Sequence, residues 1–180
     1  TQPPLNAWAA METYHSYARQ DREDEGLDFL ARIYGTAEPG NYYGLQGEYH
    51  YFLNHRQNSP TDRLIGIVHP NETGRDSDEA NKPWLVGTHG KKLGPKQEWL
   101  YMQRLGWQLG RLGRDRQHQR IDWIPEQTRE KYWVNDVMFN AMHSHGLRNL
   151  ADIASILVMS TDDVGKQKQY MRDNAQYNEI

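Results

Sequence analysis

Cysteine is absent from the 180-residue chain. Without thiols there is no disulfide framework, no thiolate nucleophile, no iron–sulfur ligation and no zinc ribbon. Aliphatic residues are scarce as well. Leu, Ile, Val and Phe together make about 18% of the chain, below the roughly 20% that signals disorder when net charge is high. The net charge is only −3, so that second condition is not met. Long apolar runs are also missing. "IASILVM" at 153–159 falls far short of the ~20 residues of a membrane span.

Large aromatics are plentiful. The chain carries 6 Trp and 11 Tyr, and each such ring buries about 150–250 Å². A folded protein whose core leans on aromatics follows. Trp and Tyr keep a polar atom that needs a partner when buried, which also suits them to protein contacts. The length fits a single domain spanning 1–180. The chain starts "TQPP" with no Met, as expected after Met removal or after cleavage of a targeting segment; processing would favour a mitochondrial location.

The expected fold is mainly α: a helical hairpin plus C-terminal helices around an irregular, partly β middle segment, with extended polar termini. Residues 1–4 form an arm. In 5–35, Asn6 is the expected N-cap, and Trp8, Met11, His15 and Ala18 share a face of the first helix. Leu27, Leu30 and Tyr34 share a face of the second, acids crowd its first turn, and Gly35 ends it. The stretch 36–95 is loop-rich. Strands are expected at 63–68 ("RLIGIV") and 84–88 ("WLVGT"). Between them runs an acidic segment of about fifteen residues, a length that is usually functional or disordered.

The 96–160 portion returns to helix. Trp99, Met102, Leu105, Leu109 and Leu112 make one amphipathic stripe. A helix over 125–146 has Pro125 in its first turn, Gly146 as terminator and stripes through Val134/Met138/Met142 and Trp133/Val137/Ala141. A short buried helix follows from Leu147, and Ser160 or Thr161 caps the tail. The 161–180 tail is polar all round, which predicts an arm.

Residues 40–55, "GNYYGLQGEYHYFLNH", pack four tyrosines, Glu48, His50 and His55 together. Neither a strand nor a helical spacing of three or four brings all three polar groups onto one local face, so a metal or catalytic constellation is not expected. The alternating rings read as an extended segment. His89, between glycines and before two lysines, could join an anion-binding loop but lacks P-loop order; a plain turn is the simpler reading. His143 and His145 are expected at a helix end, where a cation satisfies the dipole. Glu12, Glu38, Glu48 and Glu98 offer too many carboxylate pairs for any one to point to glycoside hydrolysis. No cofactor or metal is expected.

Charge is distributed unevenly. Lys91, Lys92, Lys96, Arg104, Arg111, Arg114, Arg116 and Arg120 stand against Glu98 and Asp115, leaving 91–120 at +6 and the rest of the chain at −9. Acid concentrates at 21–28 and 72–79. Such blocks steer partners. The expected role is a non-catalytic accessory or interaction subunit, with Lys91, Lys92, Arg111, Arg114, Arg116 and Arg120 meeting acidic surfaces of other protein subunits. Two alternatives stand beside it. One is a hydrolase using Glu48 with His50 or His89. The other is an RNA- or phosphate-contacting protein, or one touching anionic lipid head groups, through the basic 91–120 segment.

Overall fold

The computed structural model describes residues 4–38, 41–57, 63–67, 94, 96, 100, 103 and 134–179. Among them are five longer helices and one two-stranded sheet, the mainly α fold expected. Helices α1 (Asn6–Ala18) and α2 (Glu23–Tyr34) form the hairpin. The turn between them uses Asp21 at φ 56°, a left-handed conformation that Asp tolerates better than most residues. Tyr14 Oη donates to Glu23 Oε1 at 2.9 Å, tying the first helix to the start of the second.

The buried face of α1 differs from the expected stripe. Ala7, Ala10, Met11 and Tyr14 point inward, while Trp8 is 45% exposed. Those four positions keep helical spacing. The two alanines let α1 approach its neighbouring helices closely, and that rotation turns the Trp ring outward. Asn6 is not the cap either. Leu5 occupies the cap position without a side-chain bond, which leaves the Asn6 amide for another partner.

In α2, Leu30 and Tyr34 are buried and Leu27 packs at the edge, as the spacing predicts. Glu23, Asp24 and Glu25 fill its first turn. Gly35 ends the helix at φ +81° and opens an antiparallel pair, β1 (Thr36–Glu38) and β2 (Asn41–Tyr43), in register Thr36↔Tyr43. Gly44, at φ +66°, closes it. A Cβ at Gly35 would lie 2.0 Å from the Tyr43 carbonyl oxygen, and one at Gly44 would lie 2.5 Å from that of Ile33. Two glycines are needed at the neck because backbone meets backbone there.

After Gly44 the chain forms α3 (Gly44–His55), not an extended segment. Leu45, Tyr49 and Phe52 are its buried apolar residues, four and three apart. Aromatic alternation resembles a strand, but a helical set of inward residues lay under it, and tertiary burial decided between them.

The expected break at Gly146 is also absent. Helix α4 runs unbroken from Val137 to Ser160, capped by Asp136, which accepts from the Phe139 amide at 2.7 Å. Gly146 lies inside it because Tyr49 stacks there: an added Cβ would stand 2.0 Å from the Tyr49 hydroxyl. The inward face is Phe139, His143, Leu147, Leu150, Ile153, Ala154 and Leu157, and Val137 is 85% exposed. The polar tail is helix α5 (Val164–Glu179) rather than an arm. Asp163, not Ser160 or Thr161, accepts from its first amides, those of Gly165 and Lys166. It docks on α4 through Asn174, whose amide donates to the Ala151 carbonyl (2.8 Å) and to Ser155 Oγ (2.9 Å). Tyr170 meets Tyr34 edge-on at 5.4 Å, and Tyr177 is buried. Aromatics and amides supply the contact that aliphatic residues would normally give.

The main core joins α1, α2, α3, α4 and α5. A smaller cluster of Phe52, Ile65, Ile67 and Phe139 sits beside it. Of the strand expected at 63–68, the described residues 63–67 make two isolated bridges, Ile65 with Gln57 and Ile67 with Val134. Asn140 completes it like a neighbouring strand, accepting from the Ile65 amide (2.7 Å) and donating to its carbonyl (3.0 Å). Of the helix expected over 95–113, the described residues Lys96, Leu100 and Gln103 are helical. The strand at 84–88 and the start at Pro125 lie outside the described residues. No helix among the described residues is long and apolar enough to cross a membrane.

Candidate functional site

Helix α3 turns three kinds of polar environment to three neighbours. Toward α1, Glu48 Oε2 accepts from Asn6 Nδ2 at 2.8 Å. Toward α5, Gln46 Nε2 donates to Asp173 Oδ2 (2.8 Å) and to Tyr177 Oη (3.1 Å), and His50 Nε2 stands 3.1 Å from the same hydroxyl. Tyr34 Oη from α2 donates to Asp173 Oδ2 at 3.1 Å. Toward α4, the Tyr49 and Phe52 rings hold His143 at 5.4 and 5.8 Å between centroids.

Glu48 and His50 are therefore parted. Two positions along a helix amount to about 200° of rotation, so one faces α1 and the other α5. The pairing of Glu48 with His50 as acid and imidazole is excluded by that geometry. His55 contributes no described side chain, and His89 lies outside the described residues, as do Lys91, Lys92, Arg111, Arg114, Arg116 and Arg120. His143 is buried within α4, not at a helix end.

The electrostatics follow burial. Desolvation raises the Glu48 carboxyl above its ordinary range, and the Asn6 bond pulls it partly back. Burial raises Asp173, against its Tyr34 and Gln46 donors. Burial lowers His50, with Asp173 opposing. His143 is pushed down to about 4 by burial, and among the described residues its Nε2 meets no hydrogen-bond partner. Its ring is neutral at pH 7 and serves the aromatic stack. Tyr34, Tyr49 and Tyr177 are all raised, chiefly by burial.

Glu48 opens to a cleft formed by described residues. Its cavity, about 400 Å³, lies between α1, α2 and the start of α3, with Asn6, Thr13, Phe29, Arg32 and Tyr43 in its walls. That volume lies in the range of small-molecule sites, roughly 300–1,000 Å³. Apolar walls with a few convergent polar groups are the usual pattern of such sites. Sequence reasoning placed Glu48 only in an alternative, beside His50 or His89, and missed Asn6, Arg32 and Asp173. Asn6 and Asp173 bond to partners far away along the chain, and Arg32, bonded to the Asp28 carbonyl of its own helix, joins the site only by lining the cleft; no local spacing signals any of the three. Among the described residues no group of three or more His, Cys, Asp or Glu could hold a metal ion.

No family model matches the chain, and no curated protein does. Among solved structures, it is similar to a GH63 mannosylglycerate hydrolase from Thermus thermophilus, crystallised in complex with Tris and D-glycerate. The TM-score is 0.57 at 19% identity, and the match covers 100% of this chain and 43% of that one. At that identity the likeness concerns the fold: the helices of this chain follow the course of less than half of that larger protein.

Proposed function

We propose that the chain is part of a hydrolase acting on a glycoside, with Glu48 as its proton donor. The observation that carries this reading is the Glu48 carboxyl, lining an open cleft with its proton affinity raised by burial. A general acid needs both properties: access to the leaving-group oxygen and a proton retained towards neutral pH. The substrate class comes from the fold likeness to mannosylglycerate hydrolase, which runs the length of this chain.

Glycoside hydrolysis ordinarily needs two carboxyl groups, one giving a proton to the leaving oxygen, the other acting as base or nucleophile. Glu48 is the single acid among the cleft's lining residues. The second carboxylate is sought in the acidic stretch holding Glu72, Asp76, Asp78 and Glu79, which lies outside the described residues. In the cleft, Phe29 and Tyr43 offer rings to a sugar face, Asn6 and Arg32 offer donors to its hydroxyls, and Thr13, which donates to the Ala9 carbonyl, offers an acceptor. The test is sugar release from mannosylglycerate and a panel of aryl glycosides, for the wild type, Glu48→Gln and single Asn or Gln variants at the four acidic positions. Undiminished turnover in Glu48→Gln would remove this reading.

A second reading, a subunit held in a larger assembly, is favoured by apolar side chains left open around the α4–α5 turn. Met159 is 90% exposed, Val164 61% and Met171 58%. A partner covering them would gain area that this chain alone leaves in water. The native mass of the protein from its source separates the two readings.

A further inference from the structure

Two consecutive residues of α3 reach the beginning of α1. Glu48 accepts from the Asn6 amide, and Tyr49 Oη donates to the Pro4 carbonyl at 2.7 Å. The tethers differ in kind. Tyr49 is fully buried, so its bond fastens the entry of α1 into the core. The bond from Asn6 is made by an exposed residue at the cleft wall and ends on the one carboxyl that lines the cleft. Asn6 is the first residue of α1 and does no capping.

We propose that Asn6 is the positioning residue of the cleft: its amide holds Oε2 of Glu48 and turns Oε1 toward the bound substrate. This rests on the reading of Glu48 as the proton donor. A carboxyl that lends a proton must present one oxygen in a fixed direction, and a glutamate side chain free at χ3 does not. An amide N–H is suited to the task. It donates to the carboxylate left after proton transfer, it carries no charge, and it does not compete for the proton. Among the described residues, the other polar side chains that line the cleft with Glu48 come from α1, α2 and β2, and Tyr49 lies close enough for the Glu48 charge to act on its hydroxyl. On α1 there is Thr13, which does not titrate; on α2 there is Arg32; from β2 there is Tyr43. Tyr49 and His50, its neighbours on α3, bond elsewhere. The positive end of α1 adds a field of the same sign as Arg32. Asn6 is thus the bonded neighbour whose loss changes both the direction of the carboxyl and its hold on the proton.

Side-chain carbon NMR of labelled glutamate, assigned to Glu48 through Glu48→Gln, reads the titration directly in the full chain without any assay of turnover. Asn6→Ala is expected to raise the Glu48 midpoint by about one pH unit. Asn6→Asp should raise it further by charge repulsion, and Asn6→Gln, which keeps a donor, should move it least. In the pH profile of glycoside hydrolysis, the limb belonging to the acid should shift upward in the same order. Tyr49→Phe controls for loosening of α1: it cuts the other tether and should leave the Glu48 midpoint in place. An unchanged midpoint in Asn6→Ala would overturn the inference, as would an equal shift in Tyr49→Phe. Loss of hydrolysis in Glu48→Gln with no Asn6 effect would leave the proton-donor reading standing and remove only the role of Asn6. Full hydrolysis in Glu48→Gln would remove both, while the midpoints would still report the bond.

Discussion

Two sides of the same helix handle polar groups in opposite ways. On the α5 side of α3, Gln46, His50, Asp173, Tyr34 and Tyr177 bond to one another across α2, α3 and α5, partly buried. On the α1 side, Glu48 has one hydrogen-bond partner among the described residues and faces a cleft. Both sides carry a carboxyl raised by burial. A perturbed carboxyl is therefore not by itself a site. The difference is in the neighbours: Asp173 Oδ2 takes two donors, from α2 and α3, whereas Glu48 Oε2 takes the Asn6 amide and its side chain lines the cleft between α1, α2 and α3. Buried networks of the first kind hold a fold in one arrangement, and a perturbed group that opens to a cleft is a candidate for chemistry.

The sharpest way to break that contrast is to remove each charge in turn. Glu48→Gln should lower glycoside turnover by about 10²- to 10³-fold, as expected for loss of a general acid. Its melting temperature should stay close to that of the wild type, since the amide also relieves a buried charge. Asp173→Ala should do the reverse, with a fall in stability of roughly 1–3 kcal/mol from the unpartnered Tyr34 and Gln46 donors. Turnover per folded molecule should then be little changed. Activity assays and denaturant melts on the two variants decide it, and equal effects from both would erase the distinction.

Acid should attack the closed parts before the open one. The folded state lowers both His143, to about 4, and His50. Groups with a lowered folded value give stability that is complete above their unfolded value near 6.5 and is lost as pH falls from there toward the folded value. For His143 that loss comes to roughly 3 kcal/mol by about pH 4. Glu48 and Asp173 act with the other sign. Being raised, they contribute fully below their unfolded values and lose that contribution as pH rises through the folded ones, so they offset part of the loss at the acid end. Urea midpoints between pH 7 and pH 4.5 should fall in the wild type. They should fall less in His143→Gln, and less in His50→Gln.

How far the fold could be read beforehand depended on where the deciding contact lay. The α1–α2 hairpin was legible because the first-turn acids, Gly35 and the Leu27/Leu30/Tyr34 spacing are all local. Helix α3 was not, because alternating rings imitate a strand and only burial of Leu45, Tyr49 and Phe52 against distant elements shows the helix. Gly146 looked like a stop for the same reason: its cause is the Tyr49 ring, 97 residues away in sequence. The polar tail looked unable to pack, yet Tyr170, Asn174 and Tyr177 dock it with hydrogen bonds and ring edges that a count of aliphatic residues ignores. At the site, the sequence offered Glu48 only as one member of an alternative pair with His50 or His89. Its separation from His50 and its bond to Asn6 needed the third dimension.

The smallest effect concerns the surface that neither side of α3 touches. Met159 at the end of α4 and Met171 on α5 lie largely in water. Changing either to Gln removes little that folding buried, so the stability of the isolated chain should move by no more than about 0.5 kcal/mol. The same change costs more wherever the side chain is covered by a partner. Burying a Met side chain is worth about 1.5–3 kcal/mol, and placing an amide there without a hydrogen bond adds a further penalty. Met159→Gln should therefore leave the melting curve in place while weakening any native assembly by tenfold or more. Chromatography of the wild type and the variant at matched concentration, beside thermal melts, reads both quantities. A single mass shared by the two proteins, equal to that of one chain, would show that this apolar surface stays open to water and would remove the subunit reading. A larger mass lost in the variant would place the assembly contact at the α4–α5 turn, away from the cleft that holds Glu48.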